Sequence, residues 1–110
     1  METLNDEIQQ RENSMDRKKL IESLKQFKKQ NEKRYNILKL GFFGSAVRGD
    51  MRENSDLDIV VLLKNQDLFD LIGIKQDLEE QLDLPVDIIS YREKMNTFLK
   101  DRIDTGAIYV

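Results

Sequence analysis

Gly41 to Leu63 reads GFFGSAVRGDMRENSDLDIVVLL, and it sets Asp56 and Asp58 at the mouth of an almost wholly apolar run. The run LDIVVLL is branched and continuous, which predicts a strand covered on both faces and so placed inside a sheet. Side chains alternate along a strand. Asp56 and Asp58 are therefore expected on one face, roughly 6.6 Å apart, with Ile59, Val61 and Leu63 on the other. Two carboxylates at that separation repel by about 2.6 kcal/mol at an effective dielectric near 20. A divalent cation between them would compensate the repulsion, and magnesium takes hard oxygen ligands with no need of His or Cys. The plainer reading of the same residues is a Ser/Asp turn cluster at a strand start.

Upstream, YNILKLGFF reads as a second strand halted by Gly44. Gly44-Ser45 then opens a short helix through Ala46 and Val47. A glycine there lets a phosphate approach the backbone closely, and the Ser45 hydroxyl and the following N–H groups can face its oxygens. The loop has neither the Lys-Ser/Thr of a P-loop nor the G-x-G-x-x-G spacing of a dinucleotide fold. Arg48 has two equal readings, a phosphate partner or a clamp on an acid such as Asp50 or Glu53. Downstream, Asp87 stands between Val86 and Ile88 in PVDIISY, a further short strand. If that strand lies beside LDIVVLL, Asp56, Asp58 and Asp87 converge on one patch. Two metal ions so held can activate a hydroxyl and stabilise a leaving phosphate.

The chain's 110 residues contain no cysteine and no histidine. Thiolate zinc sites, Cys nucleophiles, disulfides and imidazole bases are all excluded, which leaves carboxylates, lysine and tyrosine to do chemistry. No apolar run approaches the roughly 20 residues that cross a bilayer, and METLNDEIQQRENS has no signal-peptide core, so a cytoplasmic protein away from membranes is expected. The net charge of −3 is uneven. Arg17, Lys18, Lys19, Lys25, Lys28, Lys29, Lys33 and Arg34 crowd the first third, as a solvated helix face or as a docking surface for an acidic partner or RNA.

The remaining periodicities complete an α+β pattern. Residues 1–14 are almost entirely polar and are expected either to fray or, through Leu4 and Ile8 at helical spacing, to form a short helix. Ser14 is the expected N-cap of a helix from about Met15 to Gln30, with Asp16 in its first turn and Leu20, Ile21, Leu24 and Phe27 as its apolar stripe. NQDLFDLIGIKQDLEEQL reads as a helix weakened at Gly73 and closed before Pro85, and REKMNTFLKDRID as a last helix ahead of TGAIYV. One domain over residues 1–110 is expected, with a small mixed sheet of three or four strands backed by helices.

Gly44-Ser45, Arg48-Gly49, Ser55-Asp56-Leu57-Asp58-Ile59 before an apolar strand, and the distant Asp87 together resemble the nucleotidyltransferase signature G-S-x-A-R-G, S-D-x-D-L and a third Asp. The chain looks like the minimal nucleotidyltransferases, the MNT group of the DNA polymerase β-like superfamily. Val47 stands where the family usually has Ala, and Ile59 where Leu is common. The resemblance implies the polymerase β-like palm fold. It also implies that Asp56 and Asp58 hold Mg²⁺, two ions in all, against the triphosphate of ATP. Asp87 would complete the metal site and activate the attacking hydroxyl, Gly44 and Ser45 would hold the β- and γ-phosphates, and Arg48 would brace the loop. Members typically pair with a HEPN-domain RNase toxin. The implied role is an antitoxin that transfers AMP to a tyrosine of that partner and forms an oligomer with it. A non-catalytic binding antitoxin, or a transferase acting on a small molecule or an RNA end, is the alternative function.

Overall fold

The computed structural model describes residues 16–49 and 56–110. In chain order the elements are α1 (Arg17–Tyr35), β1 (Ile37–Phe43), α2 (Ser45–Arg48), β2 (Leu57–Leu63), α3 (Leu68–Leu82), β3 (Val86–Ser90), α4 (Thr97–Gly106) and β4 (Ile108–Tyr109). The four strands form one mixed sheet in the order β3-β2-β1-β4. β1 pairs antiparallel with β2 and β4, and β2 pairs parallel with β3 through the α3 crossover. LDIVVLL is thus an inner strand, as its apolarity requires.

Alternation along the strands divides the core in two. Leu57, Ile59, Val61 and Leu63 pack with Leu40 and Phe42 of β1 beneath α1, through Leu20, Leu24 and Phe27, and α3, through Ile74 and Leu78. Val60 faces the other way and joins Phe43 and Ile103, so α4 covers the opposite face. Asp58 shares the face of Val60, the side of the sheet that α4 only partly covers.

Several boundaries differ from the sequence expectation. Ser14, the expected N-cap, lies outside the described residues, as do residues 1–14 as a whole. Asp16 is the cap, not a first-turn residue: its carboxylate accepts a 2.8 Å hydrogen bond from the Lys19 N–H. α1 continues to Tyr35, past Gln30, because its stop is the left-handed Asn36, whose N–H bonds back to the Glu32 carbonyl. Tyr35 therefore ends a helix and does not begin the strand. α4 starts at Thr97, not Arg92, where Asn96 accepts from the Leu99 N–H at 3.0 Å. Ile108–Tyr109 supplies the fourth strand beside Gly41, where a Cβ would stand 2.6 Å from the Ile108 carbonyl oxygen. Gly41 lets that strand close in.

Gly73 is no mere weakness in α3. The buried ring of Tyr35 rests against its Cα, with the hydroxyl 2.8 Å from where a Cβ would be, and that hydroxyl donates to Asp77 at 2.6 Å. Part of the basic face of α1 is also structural. Arg17 donates to the Val47 carbonyl, Lys28 donates to the Val110 carbonyl at 3.1 Å, and Arg34 stacks on Tyr35 at 5.0 Å. Lys18, Lys19, Lys25, Lys29 and Lys33 remain exposed to solvent. No helix of the described residues is long and apolar enough to cross a membrane.

Candidate active site

Asp58 and Asp87 are direct register partners across the parallel β2/β3 pair. Paired residues of a parallel ladder point to the same face, so both carboxylates stand on the α4 side. The starts of the two strands are tied by a 2.9 Å hydrogen bond from the Leu57 N–H to the Pro85 carbonyl. One residue along, the Val86 N–H donates at 2.9 Å to Glu79 of α3, whose carboxylate also takes Lys75 at 2.9 Å. These two donors hold the Glu79 carboxyl below its usual range, the Val86 bond being the larger influence. Glu79 thereby fixes the backbone next to Asp87, a function that nothing in its sequence context signalled. Asp56 is exposed and sits one residue ahead of β2 rather than inside it.

The turn after β1 closes the site. Phe43 is the register partner of Asp58, and the next residue, Gly44, has φ +75° and ψ −141°. A Cβ on Gly44 would run into the Asp58 carboxylate oxygen. Only glycine allows the turn and the acid to occupy adjacent space. Ser45 to Arg48 then form the expected short helix, with the Val47 and Arg48 N–H groups both directed to the Gly44 carbonyl, and Gly49 ends it in the left-handed region. Ala46 is buried and the half-buried Val47 packs on the main core, so the valine in place of the usual alanine points inward. Asp50, Glu53 and Ser55 lie outside the described residues, and with them the clamp readings of Arg48 and the Ser55 part of the turn-cluster reading.

Charge at the site is unbalanced. Burial pushes the Asp58 carboxyl up, and the facing Asp87 and the neighbouring Asp56 push it further, while Arg102 and Arg48 pull it back. Arg102, on α4, is the site residue that sequence reasoning missed. Its guanidinium lies over the Phe43 ring at 5.6 Å, and its Nη2 is 3.7 Å from the Cβ position of Gly44. It comes from the last helix, and only the folding of α4 onto Phe43 and Val60 brings it near the acids. No sequence signal singled it out: Arg102 differs from other helix arginines only in standing beside Ile103, which the structure shows to be the buried anchor of α4.

The donor set is all carboxylate oxygen with an excess of negative charge, which fits a hard cation. Among the described residues, however, no three carboxylates are gathered into a ready cage. Magnesium commonly uses one or two carboxylates and takes further ligands from substrate phosphates. A separate groove of about 460 Å³ lies beyond the acids, between Leu68 and Leu71 of α3, Ile89 and Ser90 of β3, and Leu99 of α4. None of the three aspartates lines it.

The family model for "Polymerase beta, Nucleotidyltransferase" matches residues 18–110. A predicted protein adenylyltransferase from Methanocaldococcus jannaschii is 36% identical over 78 residues, covering 70% of this chain and 83% of that protein. Among solved structures, a chain described as a candidate minimal nucleotidyltransferase superposes with a TM-score of 0.69 at 30% identity, covering 84% of this chain and 94% of that one. A chain from the crystal structure of a toxin–antitoxin with AMP-PNP superposes with a TM-score of 0.62 at 26% identity, covering 73% of this chain and 66% of that one.

Proposed function

The chain belongs to the polymerase β nucleotidyltransferase family, and on that premise we propose that it transfers AMP from ATP to a protein acceptor, a tyrosine of a HEPN-type RNase toxin, and so acts as the antitoxin. The observation that carries the reading is the register pairing of Asp58 with Asp87 beside the Gly44 turn, with Asp56 adjacent. The adenylyltransferase relative and the toxin–antitoxin neighbour with AMP-PNP support the choice of nucleotide, acceptor class and partner.

In this mechanism Asp56, Asp58 and Asp87 would hold Mg²⁺, which when bound would supply charge neutralisation at the phosphates. Gly44 and Ser45 seat the β- and γ-phosphates, and Arg48 braces the loop behind them. Asp87 takes the proton of the acceptor hydroxyl as its oxygen bonds to the α-phosphorus in line. The bond to the bridging oxygen breaks, and pyrophosphate leaves with the electron pair. The protein supplies mainly position and electrostatic stabilisation, with no covalent intermediate.

Co-expression with the toxin partner, followed by intact-mass measurement of that partner and mapping of the modified residue, tests the reading. The expected result is a mass increase in whole AMP units on tyrosine, absent when Asp56, Asp58 and Asp87 are all replaced by Asn. A partner that is neutralised but unmodified in both cases would support inhibition by occupancy and overturn the transferase assignment.

A further inference from the structure

The site so far is built from the β1–α2 turn and the starts of β2 and β3, and the cation that α4 adds to it has no assigned task. Ile103 is buried against Phe43 and Val60, which fixes α4 on the sheet and places Arg102 at the edge of the acids. The Arg102 guanidinium is stacked on the Phe43 ring at 5.6 Å. Its Nη2 lies 3.7 Å from the Gly44 Cβ position, over the turn itself. Among the described residues it makes no hydrogen bond and no ion pair within 4.0 Å. Stacking orients the planar group while all five of its donors stay available.

A cation whose task was to neutralise Asp58 would be expected in a fork-to-fork pair with it, the favoured geometry of Arg with carboxylate. Arg102 instead stands beside Asp58 and above the glycine turn, where an anionic ligand seated on Gly44 and Ser45 would meet it. We infer that Arg102 is a nucleotide-binding residue, whose guanidinium takes oxygens of the β- and γ-phosphates from the side opposite Ser45. This rests on the nucleotidyltransferase reading of the site and deepens it. In the transfer step the bridging oxygen carries away the electron pair of the broken bond, and Arg102 holds the pyrophosphate as that charge grows. Planarity makes arginine suited to both tasks at once, stacking below and bidentate donation above.

The test is calorimetric titration of the full chain with AMP-PNP and with AMP, both with Mg²⁺, for wild type, Arg102→Gln and Arg102→Lys. Arg102 is exposed, so both variants should melt within a few degrees of wild type. The expected result is about tenfold or greater weakening of AMP-PNP in Arg102→Gln, with AMP changed by less than about threefold and partial recovery in Arg102→Lys. Wild-type affinity for AMP-PNP in Arg102→Gln overturns the inference. If Asp58→Asn loses AMP-PNP in the same series, the site reading stands without Arg102. Equal loss of AMP and AMP-PNP in Arg102→Gln also overturns it, since the contact would not be to the outer phosphates. A wild type that binds neither nucleotide overturns the inference together with the site reading itself.

Discussion

Burial in the folded chain disfavours the ionised form of Asp58. Its folded-state pKa is raised by burial, then by Asp87 and Asp56, so the stability linked to its protonated form is complete below the ordinary carboxylate range, about pH 4. That stability is lost as pH rises through the folded value. In metal-free buffer at pH 7, Asp58→Asn should therefore melt at the same temperature as wild type or a few degrees higher, with the gap closing as the pH is brought below about 4. A large fall in melting temperature at pH 7 would make Asp58 a structural residue. Gly44 is the complementary case, being both left-handed and against the Asp58 carboxylate. Gly44→Ala should cost about 1–3 kcal/mol in stability and at least about a hundredfold in transfer rate, read by thermal melts and turnover. A fully active Gly44→Ala would show that the acid and the turn do not need to be in contact.

At the scale of elements, the helices mark where sequence signals conflict with packing. Helix propensity alone would make Gly73→Ala a gain of about 1 kcal/mol. The Tyr35 ring occupies the space of the new methyl group, and its hydroxyl is engaged by Asp77, so overpacking should outweigh propensity. A net loss of about 1–2 kcal/mol in denaturant unfolding is expected, and a gain would show that Tyr35 moves aside freely. The elements themselves were legible where one period dominated. LDIVVLL announced an inner strand, and the Leu20, Leu24, Phe27 stripe announced α1. The ends were not. Asn36 stops α1 by adopting a left-handed backbone that aromatic Tyr35 beside it disguised as a strand start, and Asp16, expected in the first turn, caps the helix.

Across the whole molecule, the sequence contained the acids but not their meeting. Asp56 and Asp58 declared themselves by sitting against apolar residues, whereas the pairing of Asp58 with Asp87 depends on the α3 crossover returning β3 parallel and in that register. Arg102 was silent for the same reason, since an arginine on a surface helix looks like any other until α4 crosses Phe43. The Glu79 bond to Val86 is likewise a product of tertiary structure, made by the crossover that sets β3. The candidate site at this scale is a convergence of one turn, two strand starts and the last helix, α4. The measurement that bears on it most directly is transfer of label from α-labelled ATP to the proposed toxin partner in the presence of Mg²⁺, comparing wild type with Asp58→Asn and Asp87→Asn. Labelling of the partner by wild type, with loss of about a hundredfold or more in either variant, is predicted; equal labelling by all three proteins would contradict the account.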